Sequence, residues 1–157
     1  MDEIKIKHAN SMYQKLCESM DLLDWKYTKN EDDLVIECSA RGDDLPIDLI
    51  IKLNVELQIL SLFSHLPFTV PEDKRLDFAV VTSIVNNTMV DGAFDYDISD
   101  GNIFFRMTNS FLGAELGFET LRYLIFCACT TIDKYNDKFL MIAKGMLSLE
   151  QFMESEA

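Results

Sequence analysis

A chain of 157 residues, 48% hydrophobic and 26% charged, has the composition of one ordinary folded domain and excludes a disordered or fibrous class. With 27 acidic residues against 14 basic ones, the net charge of -13 repels a phosphate backbone or an anionic bilayer, which argues against nucleic acid and membrane as partners. The longest apolar run, Tyr123 to Thr131, falls far short of the roughly 20 residues a membrane helix requires.

The first residues, Met1 to Lys5, lack a cationic leader followed by an apolar run, so no signal peptide is expected and the cytoplasm is the expected compartment. Cys17, Cys38, Cys127 and Cys129 sit in apolar or mixed stretches without the spacing of a disulfide scaffold and read as reduced core thiols. The sequon Asn86-Asn87-Thr88 carries no weight without secretion.

In chain order, residues 4 to 22 place Ile4, Ala9, Met12, Leu16, Met20 and Leu23 at mostly helical spacing, which predicts an amphipathic helix. Trp25 to Tyr27, the polar turn Asn30 to Asp33, and the alternation of Leu34, Ile36, Cys38 and Ala40 predict a β-hairpin. The apolar stretch from Ile47 to Phe63 is too long for one strand of about 5 to 6 residues and splits near Asn54, with a bulge expected where its alternation changes phase at Ile59-Leu60.

Val70-Pro71-Glu72-Asp73 opens a helix that runs to about residue 88, with Pro71 at its first position and acids against the positive end of the dipole. Residues 93 to 98 and 103 to 107 form a second hairpin through Ser99-Asp100-Gly101-Asn102. Gly113 and Gly117 mark a loop, an apolar helix spans roughly 115 to 135, and a further helical segment starts near 137. Gly145 interrupts that segment, and the capping-box spacing of Ser148 and Gln151 restarts it. The order α-β-β-β-β-α-β-β-α-α predicts an α+β fold, an antiparallel sheet with helices on one face, in a single domain over 1-157.

Val70-Pro71-Glu72-Asp73-Lys74-Arg75, Asn86-Asn87, Gly92 to Asp97 and Ile103 to Arg106 together resemble the YbjN family of small bacterial proteins over roughly residues 65 to 145. That family is similar in fold to the type III secretion chaperones, the Tir-chaperone-like fold. The resemblance implies a helix-flanked antiparallel sheet, frequent dimerisation and the binding of other polypeptides, with no catalytic residues to carry over.

Motifs that could carry chemistry fail on geometry. Asp95-x-Asp97-x-Ser99 begins like a calcium loop, but Asp100 stands where glycine is needed and Arg106 where a bidentate Glu is needed. Cys127 and Cys129, two apart on a helix, point to different sides and have no second ligand pair for zinc. His8 and His65 have no nucleophile-elbow partner in the sequence, and the acids of residues 31 to 33 and 43 to 44 belong to solvated turns. No enzyme, cofactor or metal is therefore expected.

The helix from 71 to 88 has two apolar sides, one with Leu76, Ala79, Val80 and Ile84, the other with Phe78, Val81, Val85 and Met89. One side packs within the domain. The other is covered by the terminal helices or by a second copy of the chain, and Phe78, Val81, Val85 and Met89 are taken as the candidate interface, with the first helix beside them. The function expected is a non-catalytic protein-interaction module, chaperone-like or regulatory, that binds a polypeptide segment and forms a homodimer. The alternative is a small-molecule sensor with Phe94, Tyr96, Phe104, Phe105 and Tyr123 lining a pocket.

Overall fold

A computed structural model describes residues 2–157. Helix α1 (Glu3–Leu22) starts where the Asp2 carboxylate accepts a hydrogen bond from the Ile4 amide at 2.9 Å. Its inward stripe is Ala9, Met12, Tyr13, Leu16 and Met20, while Ile4 lies out in solvent.

Four strands follow, β1 (Tyr27–Asn30), β2 (Val35–Arg41), β3 (Pro46–Asn54) and β4 (Ile59–His65). On β3 the buried residues are Ile47, Leu49, Ile51 and Leu53; on β4 they are Leu60, Leu62 and Ser64. The change of phase comes from the hairpin itself, since Leu53 stands opposite Leu60 in an unbroken ladder from Ile50↔Phe63 to Asn54↔Ile59. The expected bulge is absent. In its place the Asn54 side chain accepts from the Leu57 amide, and Gln58 takes a left-handed φ of 54° to close the loop.

Pro71 leads into a short 3-10 turn (Glu72–Lys74), and helix α2 (Arg75–Thr88) begins after it. Strands β5 (Ala93–Tyr96) and β6 (Ile103–Ser110) form the second hairpin. The two C-terminal segments divide differently from expectation. Helix α3 (Phe118–Ala143) passes without interruption through 135 to 137, because that stretch contains no glycine or proline and Tyr135, Phe139 and Ile142 continue the buried stripe. The chain breaks at Gly145, whose φ is +70°, and α4 (Leu149–Glu156) restarts on the expected capping box of Ser148 and Gln151.

The strands form one antiparallel sheet in the order β1-β2-β3-β4-β6-β5. One face is buried beneath the helices, and the other presents Glu37, Asp48, Lys52, Arg106 and Thr108 to solvent. The fold is α+β, as the order of elements predicts. An aromatic cluster joins its layers. Phe139 of α3 meets Phe78 of α2 edge-on at 5.1 Å and Phe94 of β5 at 4.9 Å, and Phe94 in turn packs on Phe105 of β6 at 5.2 Å.

Candidate protein-interaction site

A sheet has two edges, and each is a row of backbone donors and acceptors open to another strand. At the β5 edge the sequence supplies its own partner. The Asn86 side chain, in the last turn of α2, donates from Nδ2 to the Phe94 carbonyl and accepts at Oδ1 from the Phe94 amide, both at 2.9 Å. This reproduces the pair of bonds a neighbouring strand would make.

The β1 edge is different. Strand β1 has only 4 residues, most of them exposed, and pairs with β2 only from Tyr27↔Cys38 to Asn30↔Val35. Ser39, Ala40 and Arg41 therefore have β3 on one side and no strand on the other. The shortfall leaves a depression of about 590 Å³ bordered by Lys26, Thr28, Glu37, Ser39 and Asp48.

A second groove of about 560 Å³ lies on the helical side of the same edge, between α1 and the β1-β2 turn. Its carboxylates are Glu18, Asp21 and Glu31, and its ammonium is Lys29, which pairs with Glu31 at 2.6 Å. That contact raises the Lys29 pKa and lowers that of Glu31. The groove floor is neutral: Tyr13 donates to the Val35 carbonyl, and Tyr27 donates to Asp21 at 2.9 Å. Burial pushes Tyr13 up to about 12, raises Cys17, and with the Asp21 contact holds Tyr27 well above the usual phenol range. Phenols and thiol thus stay protonated near neutrality, which suits them to packing and hydrogen bonding rather than nucleophilic attack.

The outer side of α3 carries a third feature. Tyr123 and Phe126 are about half exposed there, beside Glu119, Arg122, Cys127 and Thr130, around a depression of about 500 Å³. The Arg122 guanidinium lies 5.7 Å above the Phe126 ring, Trp25 meets that ring edge-on at 6.2 Å, and the Tyr123 hydroxyl donates to Asp91.

The side of α2 taken as the interface points the other way. Phe78, Val81 and Val85 are buried in the core beneath the sheet, and Met89 is half-buried at the helix end, because Phe78 supplies an aromatic contact to both Phe139 and Tyr96. The outward side is the Leu76 and Val80 stripe, 77% and 44% exposed. The five aromatics of the pocket reading do not converge either. Phe94 and Phe105 are core, Tyr96 lies against Phe78, Phe104 lies on the open sheet face beside His65, and Tyr123 is on the outer side of α3.

The remaining polar candidates serve structure. His8 Nδ1 meets the Gln58 side chain at 2.7 Å and His65 contacts Phe104, so neither faces a nucleophile. Among the described residues no group of three or more His, Cys, Asp or Glu side chains could hold a metal ion, and no helix is long and apolar enough to cross a membrane. At the β5-β6 tip, Asp97 accepts from Ser99 and Asp100 from Asn102. The carbonyls of Val70, Ser99 and Asp100 accept from Arg75, whose guanidinium takes the place of an added cation.

A six-stranded antiparallel sheet backed by helices on one face defines a class of α+β folds, and solved structures share it. It is similar to YbjN from E. coli, with a TM-score of 0.57 and 11% identity over 78% of this chain and 86% of that one. It is also similar to a chain of the HopA1-SchA chaperone-effector complex, with a TM-score of 0.51 and 13% identity over 80% and 92%. A chain of the ExsC-ExsE complex aligns at a TM-score of 0.48 and 14% identity over 88% and 94%. The expected YbjN and secretion-chaperone-like fold is therefore the fold observed. No protein-family model and no curated protein matches the sequence.

Proposed function

We propose that this chain is a non-catalytic, cytoplasmic protein-interaction module, chaperone-like or regulatory, that binds an extended polypeptide segment along the β1 edge. The observation that carries the reading is the asymmetry of the sheet: Asn86 closes the β5 edge, while the β1 edge is unpaired and lies between two grooves. Glu18, Asp21 and Glu31 select a basic segment, and backbone pairing with β1 supplies affinity independent of its side chains. Self-association to a homodimer is assigned to the aromatic side of α3, where Glu119 and Arg122 offset each other in a chain otherwise strongly acidic.

Selection of peptides from a random display library tests the reading. Bound sequences should be enriched in Lys and Arg and should lose binding to a Lys29→Pro variant, whose ring removes a β1 donor. Selected peptides that bind the Lys29→Pro variant unchanged would overturn the edge assignment. Sedimentation velocity of Phe126→Glu should give monomer where the parent gives dimer.

A further inference from the structure

Helix α4 buries the fewest residues of the four α-helices. It has 8 residues, too few to be stable alone, and Phe152 is its one fully buried side chain. Leu149 is half-buried and Met153 is 49% exposed. A hinge at Lys144–Leu147 joins it to α3 through the left-handed Gly145.

The seat beneath α4 is better built than its occupant. Phe152 enters the same buried cluster as Phe78 and Phe139. Above it the Lys138 ammonium lies 5.9 Å from the Phe152 ring and pairs with Glu156, whose side chain is only 13% exposed. One turn earlier on α3 the Lys134 ammonium lies 4.8 Å from the Tyr135 ring, and the Lys74 side chain lies beside Gly145. A buried aromatic anchor ringed by charge is the anatomy of a binding hot spot. In a chain with net charge -13, this seat collects lysines, and its own occupant brings Glu150, Glu154 and Glu156.

We infer that the seat between α2 and α3 is a second docking site, that α4 is its resident occupant, and that it accepts in trans an acidic amphipathic helix carrying one aromatic anchor. The site is independent of the β1 edge and goes beyond the segment binding proposed there. Tethering holds α4 at a millimolar effective concentration, so an outside helix competes only when α4 opens or when its own anchor is stronger.

The test uses the full-length chain and a fluorescein-labelled peptide of residues 148–157. Phe152→Ala, which frees the seat, should bind the peptide at least about tenfold more tightly than the parent, whose own α4 competes. Adding Lys138→Glu should cancel the gain, and a peptide with its glutamates changed to lysine should not bind. Glu156→Lys, a rim change that leaves Phe152 in place, should move affinity in the same direction as Phe152→Ala and serves if that variant fails to fold. Hydrogen exchange on the parent should show α4 amides opening at least about 100-fold more readily than those of mid-α3. Equal protection of α4 and α3, equal peptide affinity in all variants, or equal binding of the lysine peptide would each overturn the inference.

Discussion

Asn86 holds Phe94 by both of its backbone polar groups, with the side-chain amide donating to the carbonyl and accepting from the N–H at 2.9 Å each. A side chain from the end of α2 thus stands where a seventh strand would stand. This contact ties the helix to the sheet and leaves β1 as the edge without a cap.

Removing that clamp should be costly. Asn86→Ala gives up two hydrogen bonds of about 1 kcal/mol each, and Phe94 is too buried for water to replace them fully, so a loss of about 2 kcal/mol is expected. Asn86→Asp keeps the acceptor and loses the donor, and should fall between Asn86→Ala and the parent. Urea unfolding measures both, and faster exchange of the Phe94 amide locates the damage.

Arg75 makes the corresponding clamp at the other end of β5. Its fork donates to the carbonyls of Val70, Ser99 and Asp100, and Lys cannot reproduce that geometry. Arg75→Lys and Arg75→Met should therefore both destabilise by about 2 kcal/mol. Millimolar calcium should leave the melting temperature unchanged, since Asp97 and Asp100 are turned to Ser99 and Asn102. Thermal denaturation with and without calcium checks this.

The residues that punctuate the chain made the order of elements readable. Asn30 to Asp33, Asn54, Pro71, Asp100-Gly101, Gly145 and Ser148 each interrupt a periodic segment, and each stands at or beside a boundary in the structure. Periodicity has no sign, however. It shows that α2 has two apolar sides, but which side turns inward depends on Phe139 and Tyr96, tens of residues away from Phe78 or on another element, and periodicity alone does not decide it. The Asn86 clamp left no local trace, since a polar residue near a helix end is unremarkable until β5 is placed beside it. The boundary expected between residues 135 and 137 does not exist, and Asn136 is buried within a continuous α3.

That asparagine leads to a stabilising substitution. Neither polar atom of the Asn136 side chain has a hydrogen-bond partner, and the residue is 1% exposed. An unsatisfied buried amide costs about 1 to 3 kcal/mol, and leucine has nearly its shape. Asn136→Leu should raise stability by at least about 1 kcal/mol, read as a higher urea midpoint at unchanged slope. A lower midpoint would mean that the amide contributes a contact the interior needs.

Alkaline pH should weaken the fold through its buried thiols and phenols. Burial pushes Cys38 up to about 12, Cys129 to about 11 and Tyr13 to about 12, from ordinary values of 9.0 for the thiols and 10.0 for the phenol. Folding thus raises these pKa values, and the unfolded chain releases protons that the native chain retains. Their stabilisation is complete below about pH 8.5 and is lost as pH climbs through the folded values toward 12. The urea midpoint should be flat from about pH 7 to 8.5 and then fall, and a Cys38→Ala, Cys129→Ala double variant should fall less steeply, by up to two protons' worth of slope. At pH 8 in the native state neither thiol should react with a disulfide reagent, whereas both should react in urea. An alkaline slope identical in parent and double variant would show that these thiols ionise alike in both states, and that burial at Cys38 and Cys129 does not set their chemistry.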